Sequence, residues 1–420
     1  MMPTILNLEL AEFERSFYIE GMGYSFFERV ALAPADAIFQ LTIAFMEDPR
    51  PHKVNLSVGL YRDEKLETPV LKTVKAAEKY LLSHEMTKEY LPISGDPVYI
   101  EESGRLIFGD ALWKEHHGKI CGMQTPGGTG ALRVGGDFVR KEAADTIALP
   151  EPTWPNHPGV FKQCGFKIHP YSYYDLKKEH LNSDAIFEML KKIPEKSAVL
   201  FHACCHNPTG ADLSKEEWEK AAEIVKKREL LPFFDFAYQG FGKGIDEDAF
   251  AIRLFVKKSI ECVVASSYSK NFGLYSERVG SVFVVTSSED AAKNVLSKIK
   301  IFARTSYSNP PKHGAAVVAH ILSNAELRQE WAKEVDAMRH RLEALRKEFV
   351  AALQTGQKKR DFSYLLKRVG MFCYLGLDKE KVSRLRDEYG IYMAEGGRMN
   401  LAGLSRGNFN YVIQSMIKVL

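Results

Sequence analysis

Residues 261–280 read ECVVASSYSKNFGLYSERVG, and this stretch decides the fold class. Its apolar beginning, ECVVA, is typical of a short buried strand, and Lys270 stands where such a strand would end. An ordinary surface lysine is not expected at the end of a buried strand, because lysine is almost never buried without a partner. Arg278 follows in the same stretch. The pattern predicts that Lys270 has a chemical role at the end of a sheet strand.

Strands of this kind alternate with helical segments from about residue 120 to 290. Four stretches begin as an apolar strand and end in polar, glycine or proline residues: ADTIALPEPTWPNH, SAVLFHACCHNPTG, LPFFDFAYQGF and ECVVASSYSK. Between two of them, Trp218, Ala221 and Val225 share one face of a predicted helix. The alternation predicts an α/β fold with a mainly parallel, doubly wound sheet, which binds ligands beyond the carboxyl ends of its strands. After about residue 325, a long, charge-rich helix begins a smaller α+β region.

The composition is that of an ordinary globular protein. The chain has 420 residues, of which 45% are hydrophobic and 26% charged, with a formal net charge of +3. We therefore expect neither a nucleic-acid nor a membrane partner, and no apolar run approaches the ~20 residues that cross a bilayer. The six cysteines include no CxxC pair, which argues against a disulfide framework and a zinc site. The reducing cytoplasm is the simplest location.

Polar elements follow the predicted strands. In TPGGTGALRVGGDFV (125–139), glycines lead into a helix whose first N–H groups would favour a phosphate, although a plain glycine-rich turn explains the loop equally well. Asp235 would end a buried strand, where it needs a cationic or N–H partner unless it caps the next turn. Tyr238 lies at the same edge. Asn207, which precedes Pro208, would either bond a ligand or form an Asx turn.

Three arginines complete the set of candidates. Arg278, Arg304 and Arg398 lie among small, apolar or turn residues instead of on a charged helix face. Arginine binds carboxylate or phosphate through planar, two-point contacts. Together with Lys270 and Asp235 they match the needs of pyridoxal 5'-phosphate, which takes a lysine for covalent attachment, an acidic partner for its ring nitrogen and an anchored phosphate. The sequence therefore predicts this cofactor and no metal.

From about residue 26 to its C-terminus, the sequence resembles the class I aspartate/aromatic aminotransferases, which are pyridoxal-phosphate enzymes of fold type I. The stretches SSYSKNFGLYSERVG, HNPTG, FDFAYQGF, TWPNH and GRMNLAG carry the resemblance. It implies a mostly parallel seven-stranded sheet in a large domain, with a smaller α+β domain. We divide the chain into an N-terminal extension, expected to be disordered and dispensable for the chemistry (1–24), an arm with part of the small domain (25–67), the large cofactor-binding domain (68–337) and the small domain (338–420).

The resemblance also implies a role for each candidate residue in binding the cofactor. Lys270 would attach the cofactor and then act as the base that moves a proton, and Asp235 would pair with the ring nitrogen, supported by His157 and His202. The remaining contacts would come from Asn207 and Tyr238 on the phenolic oxygen, from Trp154 on the ring face, and from Gly128, Thr129, Ser267, Arg278 and the other subunit's copy of Tyr90 on the phosphate.

Two arginines would recognise the substrate. The resemblance implies that Arg398 binds the α-carboxylate, with Gly59, Trp154 and Asn207 beside it. Arg304 would reach over from the other subunit to the distal carboxylate, which favours aspartate and 2-oxoglutarate. The enzyme would then be a symmetric dimer with shared active sites. It would exchange amino groups in two half-reactions, with the cofactor alternating between its aldehyde and amine forms.

The sequence resembles two branches of the family that prefer different amino acids. Leu60 and Phe39 resemble the aromatic branch, because a larger apolar lid would bury a substrate ring, whereas Thr129 and Asn309 resemble the aspartate branch. We therefore predict activity on aspartate and on aromatic amino acids, with a mainly aromatic activity as the alternative. A pyridoxal-phosphate β-lyase is a remote alternative that the paired arginines disfavour. A nicotinamide oxidoreductase would need a glycine fingerprint that is missing, and a cofactor-free binding protein would be colourless.

Overall fold

A central β-sheet organises the computed structural model, which describes residues 26–33 and 37–420. The strands in chain order are β1 (Val54–Asn55), β2 (Ile120–Pro126), β3 (Thr146–Glu151), β4 (Lys167–Ser172), β5 (Tyr174–Asp175), β6 (His180–Leu181), β7 (Ala198–His202), β8 (Leu231–Phe236), β9 (Cys262–Ser267), β10 (Val279–Val285), β11 (Phe372–Tyr374), β12 (Ile391–Tyr392) and β13 (Arg398–Asn400). Seven of them form the large sheet, in the order β2-β10-β9-β8-β7-β3-β4. The predicted strands at 146–151, 198–202, 231–236 and 262–267 all belong to it.

The large sheet is parallel except at β10, which runs antiparallel to both of its neighbours. The prediction of a mostly parallel seven-stranded sheet is therefore confirmed. Asp235 of β8 pairs with His202 of β7 on one side and with Ala265 of β9 on the other. Because parallel strands end at the same edge of a sheet, the polar residues that follow these three strands are brought together.

Helices cover both faces of the large sheet, which is why its inner strands are almost wholly apolar. Every residue of β7, β9 and β10 is buried. The helices of the described residues are α1 (Ala37–Glu47), α2 (Lys72–His84), α3 (Pro97–Phe108), α4 (Asp110–His116), α5 (Gly127–Glu142), α6 (His157–Gln163), α7 (Ser183–Lys192), α8 (Lys215–Lys227), α9 (Phe250–Lys257), α10 (Glu289–Ser306), α11 (His313–Ser323), α12 (Ala325–Gly356), α13 (Lys379–Tyr389) and α14 (Phe409–Val419). None of these helices combines the length and the apolar composition needed to span a membrane.

Helix α8 shows how the sequence fixes a covering helix. Ser214 caps its first turn, and the Glu217 side chain accepts a hydrogen bond from the Ser214 N–H in return, so two otherwise free backbone donors are satisfied. The buried side of the helix carries Trp218, whose ring packs against Phe201 of β7 and Phe234 of β8 at centroid distances of 5.4 and 6.1 Å. The predicted apolar face is therefore the face that meets the sheet.

The first and last parts of the chain are joined by a short parallel pairing. Val54 of β1 pairs with Ile391 of β12, and β11 pairs antiparallel with β13. Helix α12 runs without a break across the predicted boundary between residues 337 and 338. Its buried residues include Trp331, Val335, Met338, Leu342 and Leu345, which form one apolar side of the helix. The division into domains stays a prediction, and the predicted extension, 1–24, lies outside the described residues.

Candidate active site

A cavity of about 440 Å³ lies beyond the carboxyl ends of β7, β8 and β9. Of the residues predicted to bind the cofactor or a substrate carboxylate, all except Tyr90 and Arg304 line it, whereas Phe39 and Leu60 of the predicted apolar lid do not. The lining residues are Ile38, Gly59, Gly128, Thr129, Leu132, Trp154, Pro155, Asn156, Asn207, Asp235, Ala237, Tyr238, Ser267, Ser269, Lys270, Tyr275, Arg278, Phe372 and Arg398. Side chains from both ends of the chain thus meet over the edge of the large sheet.

Lys270 contributes its amine to this cavity. It follows β9 by a few residues, and its Nζ lies 4.9 Å from the centre of the Tyr238 ring. The Lys270 amine makes no hydrogen bond or ion pair with any described residue. Burial lowers the pKa of Lys270, and the nearby charge of Arg278 adds to that effect while Asp235 opposes it. A lowered pKa raises the fraction of neutral amine at a given pH, and the neutral amine is the form that acts as a nucleophile or base.

Asp235 is a buried carboxylate held by a histidine. Nε2 of His157 donates to Asp235 Oδ2 at 3.0 Å, while Nδ1 of His157 pairs with the Thr153 hydroxyl at 2.8 Å. Burial alone would raise the pKa of the Asp235 carboxyl, but the hydrogen bond from His157 and the positive charges nearby outweigh it, so the net pKa lies below its usual value. Asp235 is therefore kept ionised and ready to accept a further N–H group.

His202 lies behind this pair and does not hydrogen-bond to Asp235. Its ring is 5.1 Å from that of His157, and neither of its nitrogens has a hydrogen-bond partner among the described residues. Burial lowers the pKa of His202 to about 3, so the ring is neutral at physiological pH. His202 thus supports the His157 ring by packing and not by charge. Thr153, which sequence reasoning missed, completes the support of His157.

A buried guanidinium closes the other side of the cavity. Arg398 is 5% exposed, and its Nη2 donates to the Ser57 carbonyl at 2.6 Å and its Nη1 to Asn207 Oδ1 at 3.3 Å. Its Nε has no partner among the described residues, and its guanidinium lies 4.7 Å from the centre of the Phe372 ring. Burial lowers the pKa of Arg398. A buried cation with spare donors and no carboxylate partner is an arrangement suited to an anionic ligand.

Asn207 links this guanidinium to the phenol of Tyr238. Its Nδ2 donates to the Tyr238 hydroxyl at 3.4 Å, while its Oδ1 faces Arg398. Burial raises the pKa of Tyr238, so the phenol stays protonated. The amide of Asn207 and the phenol of Tyr238 therefore both present donors at the cavity wall.

The glycine-rich loop lies where α5 begins and leaves room for an anion. Gly127 has a φ of +76°, and a Cβ on it would lie 2.4 Å from Arg278 Nη2. A Cβ on Gly128 would lie 2.9 Å from the Cβ of Ser267. Glycine is therefore required at both positions, because any side chain would collide with the groups that face the loop. The first N–H groups of α5, the Ser267 hydroxyl and Arg278 together form a cradle suited to a phosphate.

Tyr90 and Arg304 lie away from this cavity on the surface of the chain. Tyr90 is 90% exposed, and Arg304 is exposed as well. Hydrogen bonds connect their two segments: Arg304 donates to the Ser308 hydroxyl, Ser308 donates to Asn309 Oδ1 at 2.9 Å, and Asn309 Nδ2 donates to the Leu91 carbonyl at 2.7 Å. The sequence prediction assigned both residues to the cavity of a second subunit, so their place on this chain leaves that prediction open.

Sequence reasoning missed several lining residues. Ser269 and Tyr275 stand inside the stretch around Lys270, so their polar side chains near a functional lysine were a usable signal. Ile38 and Phe372 come from distant segments of the chain and are ordinary apolar residues in the sequence. Only the tertiary fold brings these two to the cavity.

These features define a class of protein. An α/β sheet carries, at one cavity, an unpartnered amine, a buried carboxylate, a phosphate cradle and a buried guanidinium. The first three suit a phosphorylated cofactor with a basic ring nitrogen and a group that an amine can attack, and the last suits a carboxylate substrate. The class is that of cofactor-dependent enzymes acting on amino or oxo acids.

The chain belongs to the aminotransferase class I and II family, whose model matches residues 51–416. It is 45% identical over 395 residues to the aspartate aminotransferase of Escherichia coli, which covers 94% of this chain and 100% of that protein. It is 42% identical over 396 residues to the aromatic-amino-acid aminotransferase of Pseudomonas aeruginosa, with 94% and 99% covered. A solved aromatic-amino-acid aminotransferase from Burkholderia pseudomallei, covalently bound to pyridoxal phosphate, matches with a TM-score of 0.91 at 43% identity, covering 94% of this chain and 100% of that one. The predicted family and fold type are confirmed.

Proposed function

We propose that this protein is a pyridoxal-phosphate-dependent aminotransferase that exchanges the amino group of L-aspartate, and of aromatic amino acids, with 2-oxoglutarate. The observation that carries the proposal is the unpartnered amine of Lys270 in the same cavity as the His157-supported carboxylate of Asp235. Relatives named as aspartate and as aromatic-amino-acid aminotransferases, at 45% and 42% identity, support the two substrate types.

The residues at the cavity fit the cofactor at each of its polar groups. The backbone N–H groups of Gly128 and Thr129 would hold the phosphate with Ser267, Arg278 and the partner-derived Tyr90. Asp235 would pair with the ring nitrogen, while Asn207 and Tyr238 would bond the phenolic oxygen and Trp154 would cover the ring face. When bound, the cofactor supplies an electron sink for the pair of electrons left by removal of a Cα proton.

Lys270 would carry out the proton transfer. Its lowered pKa favours the neutral amine, which can take the Cα proton of the bound amino acid and return it to the cofactor-derived carbon. Asp235 is kept ionised by its lowered pKa and would hold the ring nitrogen of the cofactor in its protonated form. The two groups would have different roles because Lys270 is favoured as a neutral amine and Asp235 as an ionised carboxylate.

Two cationic groups would select the substrate. Arg398, together with Gly59, Asn207 and Trp154, would bind the α-carboxylate, because its Nε and part of its donor set have no protein partner. Arg304 of a partner subunit would bind the distal carboxylate of aspartate or glutamate. The apolar side chains of Ile38, Leu132 and Phe372 at the same cavity offer contact area to an aromatic side chain.

A homodimer with shared sites is part of the proposal. Tyr90 and Arg304 have no role at the cavity of their own chain, yet their segments are connected by hydrogen bonds and are exposed together. Exposed apolar side chains near Tyr90, namely Leu82 and Met86 at 88% and 91%, offer a surface for a second copy. We propose that the enzyme works in the cytoplasm.

The test is a half-reaction titration of the cofactor-loaded protein. L-aspartate and L-phenylalanine are added separately while the absorbance of the bound cofactor is followed. We expect both amino acids to convert it to the amine form, whereas Lys270→Ala should bind the cofactor and lose nearly all turnover. Lys258→Ala, which removes a surface lysine paired with Glu219, is the matched control. Conversion by aspartate alone would remove the aromatic activity from the proposal, and substantial turnover by Lys270→Ala would refute the role of that lysine.

A further inference from the structure

The backbone segment from Asn55 to Tyr61 carries Gly59 into the cavity, and side chains from other parts of the chain hold it in place. Arg398 donates to the Ser57 carbonyl at 2.6 Å. Asn400 Nδ2 donates to the carbonyls of Val58 and Leu60 at 2.7 and 2.6 Å. These bonds fix the segment to β13, which lies on the guanidinium side of the cavity.

One further bond ties the same segment to the opposite side. The Tyr61 N–H donates to the Tyr275 hydroxyl at 2.7 Å. Tyr275 stands in the loop that carries Lys270, and its own carbonyl accepts a hydrogen bond from Arg278 Nη1 at 3.0 Å. Burial raises the pKa of Tyr275 to about 12, so the phenol remains neutral and keeps a lone pair for the Tyr61 N–H. Tyr275 therefore connects the segment with Gly59 to the loop that carries Lys270 and Arg278.

We propose that Tyr275 is a positioning residue that sets the distance between the substrate-carboxylate side of the cavity, Gly59 with Arg398, and the cofactor side, Lys270 with Arg278. The inference rests on the proposed function and deepens it. Tyr61 and Tyr275 are 214 residues apart in the sequence, and the hydrogen bond between them joins the Gly59 segment to the lysine loop. The α-carboxylate is proposed to bind where Gly59 and Arg398 lie, so a shift of the Gly59 segment is expected to weaken substrate binding.

The hydroxyl acts on the Gly59 segment, whereas the main-chain carbonyl of Tyr275 acts on Arg278. Removing the hydroxyl should therefore disturb substrate binding and leave the phosphate side intact. Tyr275→Phe keeps the ring against the cavity wall and the carbonyl that receives Arg278, and it leaves the Tyr61 N–H without its acceptor. This variant separates the two connections within one residue.

The experiment compares wild type, Tyr275→Phe and the control Tyr411→Phe, all loaded with pyridoxal phosphate. Tyr411→Phe also removes a tyrosine hydroxyl that hydrogen-bonds to the backbone. This hydroxyl lies at the surface, where it donates to the Tyr389 carbonyl. We expect Tyr275→Phe to raise KM for L-aspartate about tenfold and to leave kcat within about threefold of wild type. The dissociation constant of maleate, a dicarboxylate without an amino group, should rise by a similar factor.

The Kd for pyridoxal phosphate and the pH profile of kcat should stay unchanged in Tyr275→Phe, since Asp235, Lys270 and Arg278 keep their neighbours. A KM and a maleate Kd within twofold of wild type would overturn the inference. A cofactor Kd weakened as much as substrate binding would also overturn it, because Tyr275 would then only hold the lysine loop together. A wild-type protein that loads the cofactor but does not transaminate would refute the proposed function instead, and this result precedes any comparison of variants.

Discussion

Arg398 allows a quantitative test of what the cavity is built for. The side chain is 5% exposed, carries a full charge and faces no carboxylate among the described residues. Taking an ion out of water costs several kcal/mol even after the protein relaxes. A guanidinium in this state is retained for a ligand, so its removal should harm binding far more than folding. We choose Arg398→Met, because methionine fills much of the same volume without charge.

The expected change in folding stability follows from the contacts of Arg398. The variant loses hydrogen bonds to the Ser57 carbonyl at 2.6 Å and to Asn207 Oδ1 at 3.3 Å, and the contact with the Phe372 ring at 4.7 Å. Such interactions contribute roughly 2 kcal/mol each when the cation is desolvated. The variant regains the several kcal/mol of desolvation. These terms nearly cancel, and we expect the free energy of unfolding to stay within about 1 kcal/mol of wild type.

The expected change in catalysis is much larger. A carboxylate that loses two charge-assisted hydrogen bonds loses at least about 3 kcal/mol of binding, which is more than 100-fold in kcat/KM. Unfolding in urea, at one fixed concentration of protein and cofactor, measures the free energy of unfolding. Steady-state kinetics with L-aspartate measures kcat/KM.

Arg346 provides a matched control for this test. It is 4% exposed, like Arg398, but its donors are used by the carbonyls of Gly370 and Phe372, at 2.5 and 3.2 Å, and by the Cys373 sulfur. Arg346→Met leaves these acceptors unpaired and should lose about 2 kcal/mol more stability than Arg398→Met. A loss of about 3 kcal/mol in Arg398→Met, or an unchanged kcat/KM, would refute the reasoning that this charge is kept for a ligand.

Three further predictions follow from single contacts. Burial lowers the pKa of His202 from 6.5 to about 3, so between these pH values the unfolded chain binds a proton that the folded chain does not. The free energy of unfolding therefore decreases by up to about 1.4 kcal/mol for each unit by which the pH is lowered. His202→Gln should flatten this slope in urea unfolding between pH 4 and 7, and an unchanged slope would count against the prediction. Arg304→Ala should raise KM for aspartate at least about tenfold more than KM for phenylalanine, and equal losses would exclude a contact with the distal carboxylate. Gly127→Ala forces a Cβ to 2.4 Å from Arg278 Nη2 and should weaken cofactor binding at least about tenfold, as measured by cofactor titration, whereas Gly407→Ala, with its nearest neighbour at 3.6 Å, should not.

The sheet could be predicted because its strands carry local signals. The strands that end at His202, Asp235 and Ser267 are apolar runs followed at once by polar residues, and parallel strands place such residues at one edge. The direction of β10 could not be predicted in the same way. Its sequence, VGSVFVV, is buried throughout, and a wholly buried strand has the same pattern whether it runs parallel or antiparallel.

Cavity residues could be predicted only if they follow the end of a sheet strand or belong to a distinctive motif. Asp235, Asn207 and Lys270 meet that condition. Ile38 and Phe372 are apolar residues of α1 and β11, and nothing in their local sequence distinguishes them from the core. The hydrogen bonds from the Tyr61 N–H to the Tyr275 hydroxyl and from Asn400 Nδ2 to the Leu60 carbonyl depend on how distant segments pack. Such bonds depend on the tertiary fold, and no periodic pattern in the sequence predicts them.

The surface that carries Arg304 and Tyr90 extends the same argument to the proposed dimer. The bonds from Arg304 through Ser308 and Asn309 to the Leu91 carbonyl join a residue proposed for substrate recognition to a segment proposed for phosphate binding. We expect a shift of Arg304 to affect the segment of Tyr90 through these hydrogen bonds, without passing through the cavity of its own chain. In the dimer, each chain would then supply its partner with one connected unit that contacts both the cofactor and the substrate. Formation of the proposed subunit interface would position both contacts in a single step, although neither residue lines the cavity of its own chain.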